Sequence, residues 1–297
     1  MFLYLLCFSF LTLSTVALSP QSPLLTAADV LDFPSPPADA RRYYGSDPLQ
    51  FGDLRLPPGP GPHPVAIIIH GGCWLAEYDI GHIGKMAAAL TSSSIATWTL
   101  EYRRVGDAGG GWPGTFLDIA RGADYVRVLK RDYPLDLGRV LAVGHSAGGH
   151  LALWLAGRAS IAEGSPIYLA DPIPVTGVLG LAAAADLAMV EKSGSCGHVI
   201  DAFMGGSPLQ FPDRYQQGSP AQMVPLGVPQ LLINGARDTV WGPVAESYYR
   251  KARKAGDAVE LEVAPESGHF ELIDPDSSTW PQVRKAAWSL LGRPASR

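Results

Sequence analysis

Val143-Gly144-His145-Ser146-Ala147-Gly148-Gly149-His150 stands between an apolar run, Val140-Leu141-Ala142-Val143, and an Ala/Leu-rich segment from Ala147 to Ala156. A buried strand that turns into a helix through G-x-S-x-G is a nucleophile elbow. The turn is so tight that side chains at positions 144 and 148 would meet neighbouring backbone, and glycine is least encumbered there. Such a turn lifts the Ser146 hydroxyl above the sheet edge. It also aims the Ala147 N–H and the helix N-terminus at the same point. The five-residue pattern alone is weak in a chain with 33 glycines. Its reading depends on what else the chain supplies, and in what order.

Upstream, Val65-Ala66-Ile67-Ile68-Ile69 is β-branched at four of five positions, as suits a strand buried on both faces. It runs into His70-Gly71-Gly72-Cys73-Trp74, where an H-G-G loop offers backbone N–H groups to a developing oxyanion. Gly71, Gly72, Cys73 and Ala147 are therefore the oxyanion-hole candidates. Downstream, the strand-like run Val228 to Gly235 leads to Asp238. Val259-Glu260-Leu261-Glu262-Val263 alternates like an edge strand and opens into Ser267-Gly268-His269-Phe270. Ser146, Asp238 and His269 thus follow in the order serine, acid, histidine, each at a strand end.

The other histidines compete poorly for the catalytic role. His63 lies in a Pro/Gly loop and His82 at a helix start, so both read as surface residues. His145 and His150 flank Ser146 and read as packing or supporting residues. His198, in an irregular segment, is a pocket candidate together with Trp74, Trp112 and Phe270; core packing is the alternative for the three aromatics, and a residue outside the pocket for His198. Asp186 also ends a strand-like run, but Asp238 follows the strand just before the histidine strand. No pair among His70, Cys73, His145 and His150 has helical H-x-x-x-H or C-x-x-C spacing, so neither metal nor cofactor is expected. Arg103 and Asp118 read as a structural ion pair.

The 297 residues, 47% hydrophobic, suffice for one α/β domain, and a charged fraction of 17% is low against about 25% typically. A net charge of −5 without basic clusters argues against nucleic acid as a partner. Residues 2–18 form an uncharged apolar stretch ending near Thr15-Val16-Ala17. A signal peptide over 1–18 and export are the expectation, although no Lys or Arg precedes the stretch. An uncleaved anchor, or a misplaced start with a cytoplasmic product, are the alternatives. No later segment reads as a membrane span. Residues 19–42, rich in Pro, Ala and Ser, read as a linker or loosely attached arm, and 43–297 as the domain. Strands are expected near 65–70, 95–102, 139–144, 176–183, 229–235 and 258–264, after an antiparallel pair near 48–56. Helices near 82–92, 114–131, 147–158, 243–255 and 280–291 alternate with them, which gives a mostly parallel sheet covered on both faces. Residues 187–227 interrupt the alternation as a cap after the sixth strand. Cys7 falls in the expected leader, so export would leave Cys73 and Cys196 free to pair, oxyanion loop to cap, whereas a cytosolic product would keep both as buried free thiols.

Together these motifs resemble the α/β-hydrolase superfamily over about residues 44–292. His-Gly-Gly-x-Trp at 70–74, Glu101-Tyr102-Arg103-Arg104, Trp112-Pro113-Gly114 with Asp118, and the elbow through His150 are similar to one branch of it. That branch holds esterases of the feruloyl and acetyl-xylan type and the kynurenine-formamidase-like arylformamidases. Two departures stand out. Cys73 replaces the third glycine of hormone-sensitive-type lipases, and Trp241-Gly242 intervenes before Pro243 in the segment after Asp238.

The resemblance implies a serine esterase with an acyl-enzyme intermediate on a small or aromatic ester, and the N-terminal stretch adds the expectation that it is secreted. The partner would be a small molecule. Arylformamidase activity is the nearest alternative. Acyl transfer and a silent hydrolase-like binding protein are further ones, the last opposed by the complete triad.

Overall fold

The computed structural model describes residues 22–292, so the expected signal peptide over 1–18 lies outside the described residues. Among them, β1 (Ala40–Tyr43), β2 (Phe51–Arg55), β3 (His63–Ile69), β4 (Ala96–Leu100), β5 (Leu135–His145), β6 (Gly177–Leu181), β7 (Gln230–Gly235) and β8 (Val259–Ala264) form one sheet. Its order is β1-β2-β4-β3-β5-β6-β7-β8. β1 and β2 run antiparallel to their neighbours, and β4 through β8 are mutually parallel. This is the α/β-hydrolase architecture expected.

The helices are α1 (Ala27–Leu31), α2 (Gly84–Ser92), α3 (Gly114–Asp124), α4 (Val126–Leu129), α5 (Ala147–Gly157), α6 (Leu187–Ser193), α7 (Val199–Met204), α8 (Pro212–Gly218), α9 (Pro220–Met223), α10 (Gly242–Ala255) and α11 (Trp280–Leu291). α3, α5 and α10 make one layer over the sheet, with α9 between α5 and α10. α2 and α11 make the other, tied where Trp288 Nε1–H donates to Ser93 O at 3.1 Å. β3 and the last six residues of β5 are buried, as their apolar runs require for strands covered on both faces. β8 closes the sheet and keeps Val263 54% exposed, so its alternation does mark an edge strand.

Strand order places the site. From β3 the chain runs to β4 on one side and then crosses to β5 on the other, making β3/β5 the topological switch point where ligands bind beyond the strand ends. Ile69 stands opposite Gly144, so the loop after β3 and the elbow after β5 emerge side by side. The cap segment α6–α9 follows β6.

The expected linker is corrected. Part of residues 19–42 belongs to the fold: β1 starts at Ala40 within it, and α1 buries Val30 to 2% exposure. A Pro/Ala/Ser-rich composition signals low intrinsic structure, and here long-range contacts override it.

Candidate active site

At the elbow, Ser146 adopts φ 55°, ψ −119°, a region that costs a non-glycine residue about 1–3 kcal/mol and persists only where surroundings impose it. The surroundings do impose it. Ser146 N–H donates to Leu181 O at 2.9 Å, and Ser146 O accepts from His150 N–H and Ala184 N–H, each at 3.1 Å. A Cβ on Gly144 would stand 2.0 Å from Gly148 O, and one on Gly148 would stand 2.1 Å from Ile69 O. Both positions therefore require glycine for the β5–α5 turn to close against β3.

His269 Nδ1–H donates to Asp238 Oδ2 at 2.8 Å. The other carboxylate oxygen, Oδ1, accepts from Val240 N–H at 3.2 Å and Trp241 N–H at 3.0 Å. Burial works to raise the Asp238 pKa. The His269 hydrogen bond and charge outweigh it, followed by the two amides, and hold the carboxyl below its usual range. The imidazole is packed from three sides: Trp241 stacks at 5.5 Å, Phe270 stands edge-on at 4.8 Å, and His145 lies 4.5 Å away. His145 Nε2 sits 3.1 Å from His269 O, and burial drives its pKa well below the ordinary value. It is a neutral support for the His269 backbone. Among the described residues no hydrogen bond joins the Ser146 and His269 side chains, a contact that often tightens only with substrate bound.

The loop after β3 rests on buried charge. His70 Nδ1 faces Gly71 O at 2.8 Å, and Nε2 faces Glu101 Oε1 at 3.0 Å. Tyr102 O–H donates to His70 O at 2.8 Å. Glu101 also accepts from Ile80 N–H at 3.0 Å and pairs with Arg104 at 3.1 Å. Burial pushes this carboxyl up, and the His70 ring and the Arg104 guanidinium bring it below its usual range. So fixed, Gly71 abuts the elbow, where a Cβ would meet His145 O at 2.8 Å. The N–H groups of Gly72, Cys73 and Ala147 donate to no protein acceptor among the described residues. They remain available to an oxyanion.

Cys73 and Cys196 form a disulfide with α-carbons 5.6 Å apart, joining oxyanion loop to cap. Closing a loop across a sequence separation of 123 should stabilise by about 4–5 kcal/mol in the chain-entropy picture. Cys196→Ser is expected to lose that much in urea unfolding. A thiol titration of unreduced, unfolded protein should find no thiol other than Cys7; two more would contradict the bond.

Ser146, Asp238 and His269 line one cavity of about 340 Å³. Its other walls include both cysteines, Val30, Tyr78, His82, Val240, Trp241 and Phe270. Of the four pocket candidates, only Phe270 is there. Trp74 is fully buried and stacks on Phe203 at 4.9 Å. Positive φ at Cys73 and Trp74, 51° and 56°, accompanies that inward placement. Trp112 lines a separate cavity with Phe211 and Arg214. The His198 side chain is 92% exposed, beside Glu191.

His63 and His82, expected on the surface, are buried. Burial, then the neighbouring His70, bring the His82 pKa down to about 4, so it presents a neutral ring to the cavity. His150 is a packing residue as expected: its Nε2 lies 2.7 Å from Gly218 O of the cap, and burial brings its pKa to about 4. Arg103 and Asp118 form the expected pair, with two contacts of 2.7 Å. Asp186 makes no hydrogen bond to an imidazole among the described residues. It caps α6 at Met189 N–H and pairs with Lys251 Nζ at 2.6 Å. The sequence signal for Trp241 was its intrusion between Asp238 and Pro243. Val30, Tyr78 and His82 carried none.

A family model described as BD-FAE matches residues 53–249, a span that includes Ser146 and Asp238 and stops short of His269. No curated protein matches the chain. Among solved structures, it is similar to a bifunctional GH43-CE protein of Bacteroides eggerthii, with TM-score 0.68 and 21% identity over 86% of this chain. The match spans 38% of that longer protein. A truncated carbohydrate esterase from gut microbiota gives TM-score 0.71 and 20% identity, covering 86% of this chain and 99% of that one. Esterase B of Lactobacillus rhamnosis, solved with a tributyrin phosphonate, gives TM-score 0.73 and 21% identity, covering 86% and 87%. At such identities these likenesses establish the fold.

Proposed function

This chain belongs to the BD-FAE family, and from that premise we propose that it is a serine carboxylesterase acting on small, uncharged esters. One observation carries the reading: Ser146, on a strained elbow, shares a cavity with a histidine already oriented by a buried carboxylate. His269 Nε2 takes the Ser146 hydroxyl proton as Oγ attacks the ester carbonyl. The N–H groups of Ala147, Gly72 and Cys73 receive the oxyanion, and each such donor is typically worth about 3–4 kcal/mol of barrier. The tetrahedral adduct then expels its alkoxide, which takes the proton from His269. Water, deprotonated by the same imidazole, attacks the acyl-Ser146 ester, and the imidazolium returns that proton to Ser146 Oγ as the carboxylic acid leaves. Asp238 stays ionised throughout, holding the tautomer and stabilising the imidazolium.

The cavity supports the substrate class. Its walls are mainly apolar, His82 is neutral, and Asp238 is engaged with His269. A carboxylate on the buried part of the ester would lose its hydration without gaining a counter-charge. The tributyrin phosphonate found with esterase B supports short acyl groups. Export to an oxidising compartment belongs to the same proposal, supported by the Cys73–Cys196 bond.

A panel of short-chain aryl esters, feruloyl esters, an ester with a free acyl-side carboxylate and N-formylkynurenine tests the assignment. Uncharged esters should exceed the carboxylate ester in kcat/KM by about 100-fold or more. Preferred cleavage of N-formylkynurenine would replace the ester reading with a formamidase one.

A further inference from the structure

We infer that residues 22–33, which precede the family match, form a strap that completes the ester pocket and sets which apolar group it accepts. This rests on the esterase reading above. The strap is fastened to the two loops that carry Asp238 and His269. Ser22 O accepts from Arg237 Nη1–H at 2.9 Å, one residue before Asp238. Leu25 N–H donates to Glu271 Oε1, and Oε2 of the same carboxylate accepts from Gly268 N–H at 2.8 Å, one residue before His269. Leu24 packs on Gly268, where a Cβ would meet its Cδ1 at 2.9 Å.

The strap then turns inward. Thr26 and Asp29 form a capping box that starts α1, and α1 packs on the Ile80–Ile83 turn that carries His82. Five residues cannot hold a helix in isolation. Its position therefore comes from these fastenings. They place Val30, 2% exposed, in the wall of the cavity that contains Ser146. Val30 is a specificity-determining residue: its methyl groups bound the space left for the apolar part of the ester.

The test uses the full chain, Val30→Trp and Val30→Ala, and two ester series. One lengthens the acyl chain on a fixed p-nitrophenol; the other lengthens the alcohol on a fixed butyryl group. In at least one series, Val30→Trp should lower kcat/KM for the longest member relative to the shortest by about tenfold or more. Val30→Ala should move the preference the opposite way, and it carries the test alone if the tryptophan variant fails to fold. Flat preferences in both series, in variants with unchanged melting temperature, overturn the strap. Fluorophosphonate labelling of Ser146 keeps the two readings apart. An unlabelled wild type overturns the esterase reading itself, whereas labelled variants with unshifted preferences overturn only the inference.

Discussion

Ser146→Ala is expected to lower kcat toward a p-nitrophenyl ester by about 10⁶-fold, His269→Ala to do so to a similar extent, and the double variant to fall no further. The reason is that nucleophile and base act as one device. Without Oγ there is nothing for His269 to deprotonate. Without the imidazole, Ser146 is an ordinary alcohol, and its elbow strain activates nothing. What should survive is the proposed oxyanion site of Gly72, Cys73 and Ala147, whose backbone N–H groups depend on neither side chain. Steady-state kinetics on the three variants decides the matter. Losses that multiply in the double variant would mean that the two residues work on separate steps.

Asp238→Asn is expected to cost about 10⁴-fold in kcat, and Asp186→Asn to leave kcat close to that of the wild type. An amide at 238 turns one acceptor into a donor. It faces His269 Nδ1 with an N–H or forces the other tautomer, and the imidazolium loses its counter-charge. Val240 and Trp241 N–H, which both donate to Oδ1, keep the side chain in place, so the fold should survive. Asp186 does its work elsewhere, capping α6 and pairing with Lys251. Asparagine caps a helix about as well as aspartate, so what Asp186→Asn gives up is the charge pairing with Lys251 Nζ. The reverse outcome, a crippled Asp186→Asn beside a mild Asp238→Asn, refutes the choice of acid.

The parts of the site that were legible in the sequence are those encoded locally. The elbow is an apolar strand, a G-x-S-x-G turn and a helix, all within Val140 to Ala156. The oxyanion loop is a glycine pair after a β-branched run, and strand order then delivers Asp238 and His269 to the same sheet edge. The Cys73–Cys196 pairing could be posed from sequence because only two cysteines lie beyond residue 18 and the cap segment should fold over the loop, but whether it forms needed the structure. Pocket walls obey no such local rule. Trp74 looked like a pocket residue by adjacency, yet it turns under the loop to stack on Phe203. His82 looked exposed at a helix start, yet it is enclosed between His70 and Tyr78. The strap was invisible because its anchors, Arg237 and Glu271, lie 215 and 246 residues from the groups they hold. No local pattern in a Pro/Ala/Ser-rich segment announces partners at that distance.

The central claim is that Ser146 is the nucleophile of this cavity. Fluorophosphonate labelling followed by intact-mass measurement and peptide mapping tests it most directly, because the probe reacts with a serine only where a base activates it. The account predicts one adduct per chain, on the peptide bearing Ser146, and none in Ser146→Ala. Undiminished labelling of Ser146→Ala, or an esterase-active wild type that takes up no label, would contradict it.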